Sequence, residues 1–329
     1  MKRFVTFGET LVQYNAEYAG PYDPAGSHVK GCAGAESNVA VDLKKLLPDD
    51  VETIWISRLG DDEAGRFILD SLHGQTTVVA DVVTDRFTAE FHLNRIGNEP
   101  IRTYRRKGSA ASELTFAVVE PHLAECDVLH VTGITPALSD TCHDTTLAAM
   151  QAAAGRGCPV SFDVNYREQL WSPGDAREVF DRMIEHANIF KVGHDEAETV
   201  WSLGLDAEQY ARHFRERGVD VSIVTRGSDG AVLCDGPNVL VHPGYAVDIV
   251  DPVGAGDAFV AGFLAGILQQ HNVVDLLALT SHERREVLAV SLDIANVCGA
   301  LTCTTRGDTV AMPNMAQVNE FLLTIDREG

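Results

Sequence analysis

Short β-branched runs alternate with amphipathic segments along most of the chain. The runs RFVTFG (3–8), ETIWIS (52–57), CDVLHVTG (126–133), CPVSFDVN (158–165), NIFKVG (188–193) and DVSIVTRG (220–227) predict strands. Between them, SDTCHDTTLAAMQAAAGRG (139–157) and DAREVFDRMIEHA (175–187) have helical spacing, the first opening on a Ser/Asp cap and closing on glycine. Strand alternating with helix implies an α/β three-layer sandwich, a mostly parallel sheet covered on both faces. Ligands of such sheets sit beyond the carboxyl ends of the strands, which singles out Asn165 and Arg167, Arg226, and the stretch 254–257.

Two stretches break the alternation. GETLVQYNAEYAGPYDPAGSHVKGCAG (8–34) and DRFTAEFHLNRIGNEPIRTYRRKGSA (85–110) hold strand-like runs separated by turn residues, without a convincing helix. They predict a small antiparallel β lid, about 9–34 and 86–110, inserted in one domain that spans 1–329. Exposed lid strands commonly pair with another chain's edge, so a homo-oligomer through the lid is expected.

The stretch DPVGAGDAFVAGFLAG (251–266) joins a bare backbone to an acid at the mouth of a helix. Gly254 and Gly256, with Ala255 between them, let backbone N–H groups approach an anion, and the helix aims its positive end at the same point. Asp257 beside this anion hole would repel a phosphate unless it takes a proton from a hydroxyl attacking that phosphate. The plainer reading makes Asp257 a helix cap and has Ala258, Ala261, Gly262, Ala265 and Gly266 packing tightly against the sheet; it covers the later small residues but not the Gly-Ala-Gly-Asp cluster. Neither a GxxxxGK[ST] loop nor a GxGxxG after the first strand occurs.

Composition narrows the classes. The 329 residues are 45% hydrophobic and 22% charged, as expected of one large globular domain. No run approaches the length of a membrane span, and MKRFVTFGET lacks an apolar signal region, so a cytoplasmic protein is expected. Seven cysteines form no CxxC pair, which suits reduced thiols better than disulfides or zinc. The formal charge is −22 and only six bases are lysine, a surface that repels nucleic acid and anionic membrane and itself at low salt. A halophilic cytoplasm fits this balance; an acidic enzyme of ordinary salt is the alternative.

The 251–266 stretch closely resembles the second signature of the ribokinase-like (PfkB) carbohydrate kinases, and GCAGAESNVAVDLKKL (31–46) resembles their first. VTRGSDGAVL (224–233) looks like their ATP-binding turn, and within the family TYRRKGSAAS (103–112) and DVNYREQLW (163–171) resemble 2-keto-3-deoxygluconate kinases most. The resemblance implies the ribokinase-like fold, ATP as phosphate donor, Mg²⁺, and a small sugar acid as the other substrate. It implies Gly34, Tyr104, Arg106, Arg167, Asp257 and Asp293 at the sugar, with Phe91 where relatives carry a tyrosine. Arg105, Arg106 and Arg167 are candidates for a substrate carboxylate, which guanidinium groups bind in oxygen pairs. At the nucleotide it implies Asn165, Thr225, Arg226, Gly227, Ser228, Asp229, Gly230 and Gly254, Ala255, Gly256. Where relatives show NxxE, this chain offers Gly193 and Glu196, so the acid that helps order magnesium is present without the Asn. A neutral-sugar kinase of fructokinase type and a non-catalytic sensor on the same fold stay open as alternatives.

Overall fold

A computed structural model describes residues 1–23, 25–96, 99–305 and 308–325; Gly97 and Asn98 of the second lid stretch lie outside them. Thirteen strands are seen among these residues: β1 (Lys2–Phe7), β2 (Leu11–Ala19), β3 (His28–Ala33), β4 (Val51–Gly60), β5 (Thr77–Val83), β6 (Glu90–Ile96), β7 (Glu99–Arg105), β8 (Val128–Thr132), β9 (Val160–Asp163), β10 (Ile189–Gly193), β11 (Val221–Thr225), β12 (Ala231–Cys234) and β13 (Val239–His242). The helices are α1 (Ala35–Leu46), α2 (Glu63–Leu72), α3 (Phe116–Val119), α4 (Asp140–Gly155), α5 (Pro173–Ile184), α6 (His194–Trp201), α7 (Ala207–Glu216), α8 (Ala255–Leu268), α9 (Val273–Ala278), α10 (Ser281–Thr302), α11 (Asp308–Ala311) and α12 (Met315–Ile325).

The main sheet runs β13-β12-β11-β10-β9-β8-β1-β4-β5. Its pairings are parallel except for the antiparallel β11–β12 and β12–β13 at one edge, where β12 alone runs against the other strands. The direction of chain progression reverses at β1, which opens a crevice beyond the carboxyl ends of β1 and β8. Alternate residues of each strand enter two separate cores. One face packs against α1, α2, α8 and α10, with Phe4, Trp55, Ile189 and Ile223; the other packs against α4, α5, α6 and α7, with Phe7, Phe162, Phe190 and Val224. The six sequence-predicted strands all lie in this sheet. The short β12 and β13 escaped the pattern, and so did β5, although its TVVADVV run is as long and as β-branched as the strands that were read.

The capping chemistry is local. Ser139 accepts the amide of Cys142 and starts α4, and Gly157, at φ 74, follows its end. In α8 every residue from 258 to 268 is buried, and glycines set how closely α10 lies against it. A Cβ on Gly266 would stand 2.6 Å from the Cα of Ser291, and one on Gly262 would stand 3.0 Å from the Cα of Ala295. Gly262 and Gly266 therefore pack α8 against α10, whereas the plainer reading has the small residues packing against the sheet.

A second sheet, ordered β3-β2-β6-β7, lies over the crevice side of the chain. Two antiparallel hairpins, β2–β3 and β6–β7, join through parallel pairing of β2 with β6. The seven cysteines are free thiols. Among the described residues no helix is long and apolar enough to cross a membrane.

Candidate active site

The site begins at the end of β1. Gly8 has no room for a side chain, because a Cβ there would meet the Glu36 carboxyl and the Thr135 hydroxyl. The next residue, Glu9, is buried and takes both Nε and Nη2 of Arg106 on Oε2, at 2.9 and 2.7 Å, while Ser109 donates to its Oε1 at 2.9 Å. Arg106 itself follows β7 and lies over the Tyr104 ring, which stacks on Phe91 across the β6–β7 ladder at 4.7 Å. One lid face thus delivers Phe91, Tyr104 and Arg106 together. Arg105 goes the other way, because neighbouring strand residues point to opposite faces; it pairs with Glu90 and covers the Phe87 ring.

Gly34 caps α1 from an extended backbone, pressed so close to Glu9 and Thr10 that a Cβ would stand 2.7 Å from the Glu9 carbonyl oxygen. One turn on, Asn38 reaches the start of α8 and donates from Nδ2 to Oδ2 of Asp257 at 2.8 Å. Between them Glu36 is fully buried. Its Oε1 accepts from Thr132 and from Thr135 at 2.7 Å each, and its Oε2 has no hydrogen-bond partner. Burial pushes the Glu36 carboxyl up to about 7, against the pull of the two threonine hydroxyls, and nearby Asp257 adds to the rise.

Gly254 adopts φ 82, which admits the chain to α8 at a position that favours glycine. Ala255, Gly256 and Asp257 form the first helical turn, whose amides have no acceptor within the helix. Beneath that turn lies a buried cation that the sequence reading did not single out. Lys191, on β10, stands in register with Asp163 on β9, and its Nζ is 3.0 Å from both Asp163 oxygens. Burial pulls the ammonium down, but Asp163, Glu196 and Asp257 outweigh it and hold Lys191 above the ordinary lysine value. A lysine at an inward position of NIFKVG was the available signal.

The strand ends of β9 and β11 hold the other candidates. Asn165 is buried at φ 39, and Arg167 is exposed and donates to the Tyr166 carbonyl. Glu196 ties this loop down: its Oε1 accepts from the Tyr166 amide at 2.9 Å and its Oε2 from the Gly193 amide at 2.8 Å. Thr225 ends β11, and the turn through Arg226, Gly227, Ser228 and Asp229 closes with the Arg226 amide donating to the Gly230 carbonyl at 2.7 Å. Gly230, at φ 80, is packed so that a Cβ would stand 2.1 Å from the His242 carbonyl oxygen. A cleft of about 900 Å³ opens beside this turn, walled by acids including Asp195, Glu196 and Asp229.

Asp293 does not join the sugar-side cluster. Gly262 and Gly266 meet α10 at Ala295 and Ser291, so Asp293 lies about two turns along the helix pair from Asp257. Its carboxylate stands 3.0 Å from Nε2 of His242 on the edge strand β13. Among the described residues no group of three or more His, Cys, Asp or Glu could hold a metal ion. With both Glu196 oxygens accepting backbone amides, the residues fit a magnesium ion carried on substrate phosphates rather than chelated by the chain.

Comparison with known proteins identifies the family and supports the fold. The chain is 33% identical to the 2-dehydro-3-deoxygalactonokinase of Haloferax volcanii, covering 83% of this chain and 87% of that one. It is 32% identical to the 2-dehydro-3-deoxygluconokinase of Bacillus subtilis, over 97% and 94% of the two chains. It is 28% identical to fructokinase-2 of Zea mays, over 97% and 93%. Among solved structures, a PfkB protein from Polaromonas sp. JS666 superposes with a TM-score of 0.81 at 28% identity, covering 97% of this chain and 99% of that one. Aminoimidazole riboside kinase from Salmonella enterica, complexed with aminoimidazole riboside and an ATP analogue, gives 0.78 at 28% identity, over 98% and 99%. The family model for pfkB family carbohydrate kinases matches residues 1–315, and the chain belongs to that family.

Proposed function

We propose that the protein is an ATP- and Mg²⁺-dependent sugar-acid kinase that phosphorylates the terminal hydroxyl of 2-keto-3-deoxygluconate or its galactonate-derived epimer. The observation that carries the transfer chemistry is Asp257, a carboxylate at the positive end of α8 oriented by Asn38. Asp257 takes the proton of the 6-hydroxyl as O6 attacks the γ-phosphorus; the O6–P bond forms, the P–O bond to ADP breaks, and ADP leaves with that electron pair. The amides of Gly254, Ala255 and Gly256 neutralise charge on the transferring phosphoryl group. Magnesium, when bound with ATP, supplies further neutralisation between the phosphates. A sensor has no need of a base held in this way.

The acid substrate is supported by Arg106 under the lid and by the relatives that act on 2-keto-3-deoxy acids. Arg167, on the loop after β9, is the second guanidinium for that carboxylate, and the turn through Arg226 and Gly230 receives the nucleotide. One observation favours a neutral sugar instead: Arg106 already has an anionic partner in Glu9. The proposed setting is a salt-rich cytoplasm, an Entner–Doudoroff-type route and an assembly through the lid. The test is ATP turnover at high salt against 2-keto-3-deoxygluconate, 2-keto-3-deoxygalactonate, fructose and a riboside, with product identified by mass. The proposal requires the two acids to lead by kcat/KM; fructose in the lead overturns the acid reading, and no turnover on any of the four overturns the kinase reading.

A further inference from the structure

We propose that Lys191 is the buried cation of the phosphoryl site, acting through its third N–H and its charge on the group held at the first turn of α8. The inference rests on phosphoryl transfer at Gly254–Asp257. Lys191 and Asp163 are the charged members of a sheet face otherwise packed by Ile189, Ile223, Phe259 and Phe263. An apolar pair of similar volume would commonly stabilise such a face as well or better, so structure alone gives no reason for the ions. Position does. A Cβ on Gly256 would stand only 3.4 Å from Lys191 Nζ, which puts the ammonium against the middle of the anion hole. Gly256 is exposed while Lys191 beneath it is buried, so the cation works from the dry side of the site.

The ammonium has three N–H groups, and the Asp163 oxygens can engage two. Among the described residues the third has no acceptor, which suits an incoming phosphoryl oxygen. Asp163 keeps the lysine charged and aimed in the absence of that oxygen. During transfer the leaving ADP and the phosphoryl oxygens gather negative charge where the N-terminal amides and this ammonium converge. No proton needs to pass to or from Lys191, and the atoms of the step balance as given above.

The test uses the full chain with Lys191→Met and Asp163→Asn combined, which removes the pair without stranding a buried charge. Expected are a thermal midpoint close to wild type, KM for sugar and Kd for MgADP within about threefold, and kcat lower by on the order of 10² to 10³. The tighter binding of MgADP with aluminium fluoride, a mimic of the transferring group, over MgADP alone should fall by a similar factor. Unchanged kcat and unchanged mimic affinity would overturn the inference and leave the pair structural. An equal loss of MgADP and mimic affinity would also overturn it, since the cation would then serve ground-state binding only. Lys191→Gln, which keeps a donor to Asp163 without the charge, carries the same measurements if the double variant does not fold. A wild type inactive on every sugar removes the kinase reading, whereas an active wild type with an equally active double variant removes only the role of Lys191.

Discussion

Asn38 and Asp257 stand 219 positions apart in the chain, yet Nδ2 of one donates to Oδ2 of the other at 2.8 Å. The bond joins the first turn of α1 to the first turn of α8, the two helices that begin within the 31–46 and 251–266 signature stretches. It fixes the carboxylate plane, so that an oxygen is aimed rather than free to rotate. Asn38→Leu should lower kcat by about 10- to 100-fold through misplacement of the base, with sugar KM changed far less. Steady-state kinetics read the split, and a kcat within twofold of wild type would remove Asn38 from the account.

Arg106 and Glu9 form a mostly buried pair, so Arg106→Leu strands a carboxylate that has 1% of its side chain exposed. Breaking such a pair costs about 3 to 5 kcal/mol, seen as a lower thermal midpoint. Adding Glu9→Gln should return most of that stability. If Arg106 also meets the substrate carboxylate, the double variant stays poor on 2-keto-3-deoxygluconate while any activity on fructose suffers less. Equal losses on both sugars assign Arg106 to holding the lid, and the neutral-sugar reading then moves ahead.

Glu36 gives a pH signature. Its native carboxyl is raised from 4.5 to about 7, so the folded state holds a proton that the unfolded chain releases. Stability from this group is therefore full below pH 4.5 and is lost as pH rises to 7, by roughly 3 kcal/mol. His130, buried and neutral down to about 3, has the opposite slope, losing stability as pH falls below 6.5. Comparing Glu36→Gln with wild type cancels His130. Denaturant unfolding should show the variant gaining on wild type between pH 4.5 and 7; parallel curves would mean Glu36 is ionised throughout.

Acids outnumber bases by 22, and that excess repels itself at low ionic strength. Screening shortens to about 3 Å at 1 M salt, so the thermal midpoint and the activity should both rise towards molar KCl. A protein at its most stable in dilute buffer contradicts the salt-adapted setting.

The alternating pattern was enough for the parallel sheet, because β1, β4 and β8–β11 are buried strands with β-branched runs and α4 and α5 carry local caps. The α8 turn was legible for a similar reason: Gly254 stands at a positive φ of 82, and Gly256 lies in the first turn of the helix against Lys191, so the glycines mark where the backbone is bare. Glu9 was hidden because it follows β1 directly into the lid stretch, and its partner Arg106 lies 97 positions away. The end of β7 separates Arg105, the last strand residue, from Arg106 just beyond it, a distinction that the strand's bounds and pairing decide and a run of basic residues does not. Asp293 looked like a site acid on resemblance, yet the antiparallel packing of α10 on α8 carries it to His242. Lys191 needed the register of β9 against β10 before its place under Gly256 could be seen.

We propose Asp257 as the base of phosphoryl transfer to a sugar acid. Single-turnover mixing of enzyme, MgATP and 2-keto-3-deoxygluconate in molar KCl tests it most directly, comparing wild type with Asp257→Asn. Wild type should form ADP and the 6-phospho acid one for one, while the variant binds both substrates and transfers slower by on the order of 10² to 10⁴. An Asp257→Asn protein that transfers at close to the wild-type rate would contradict the claim.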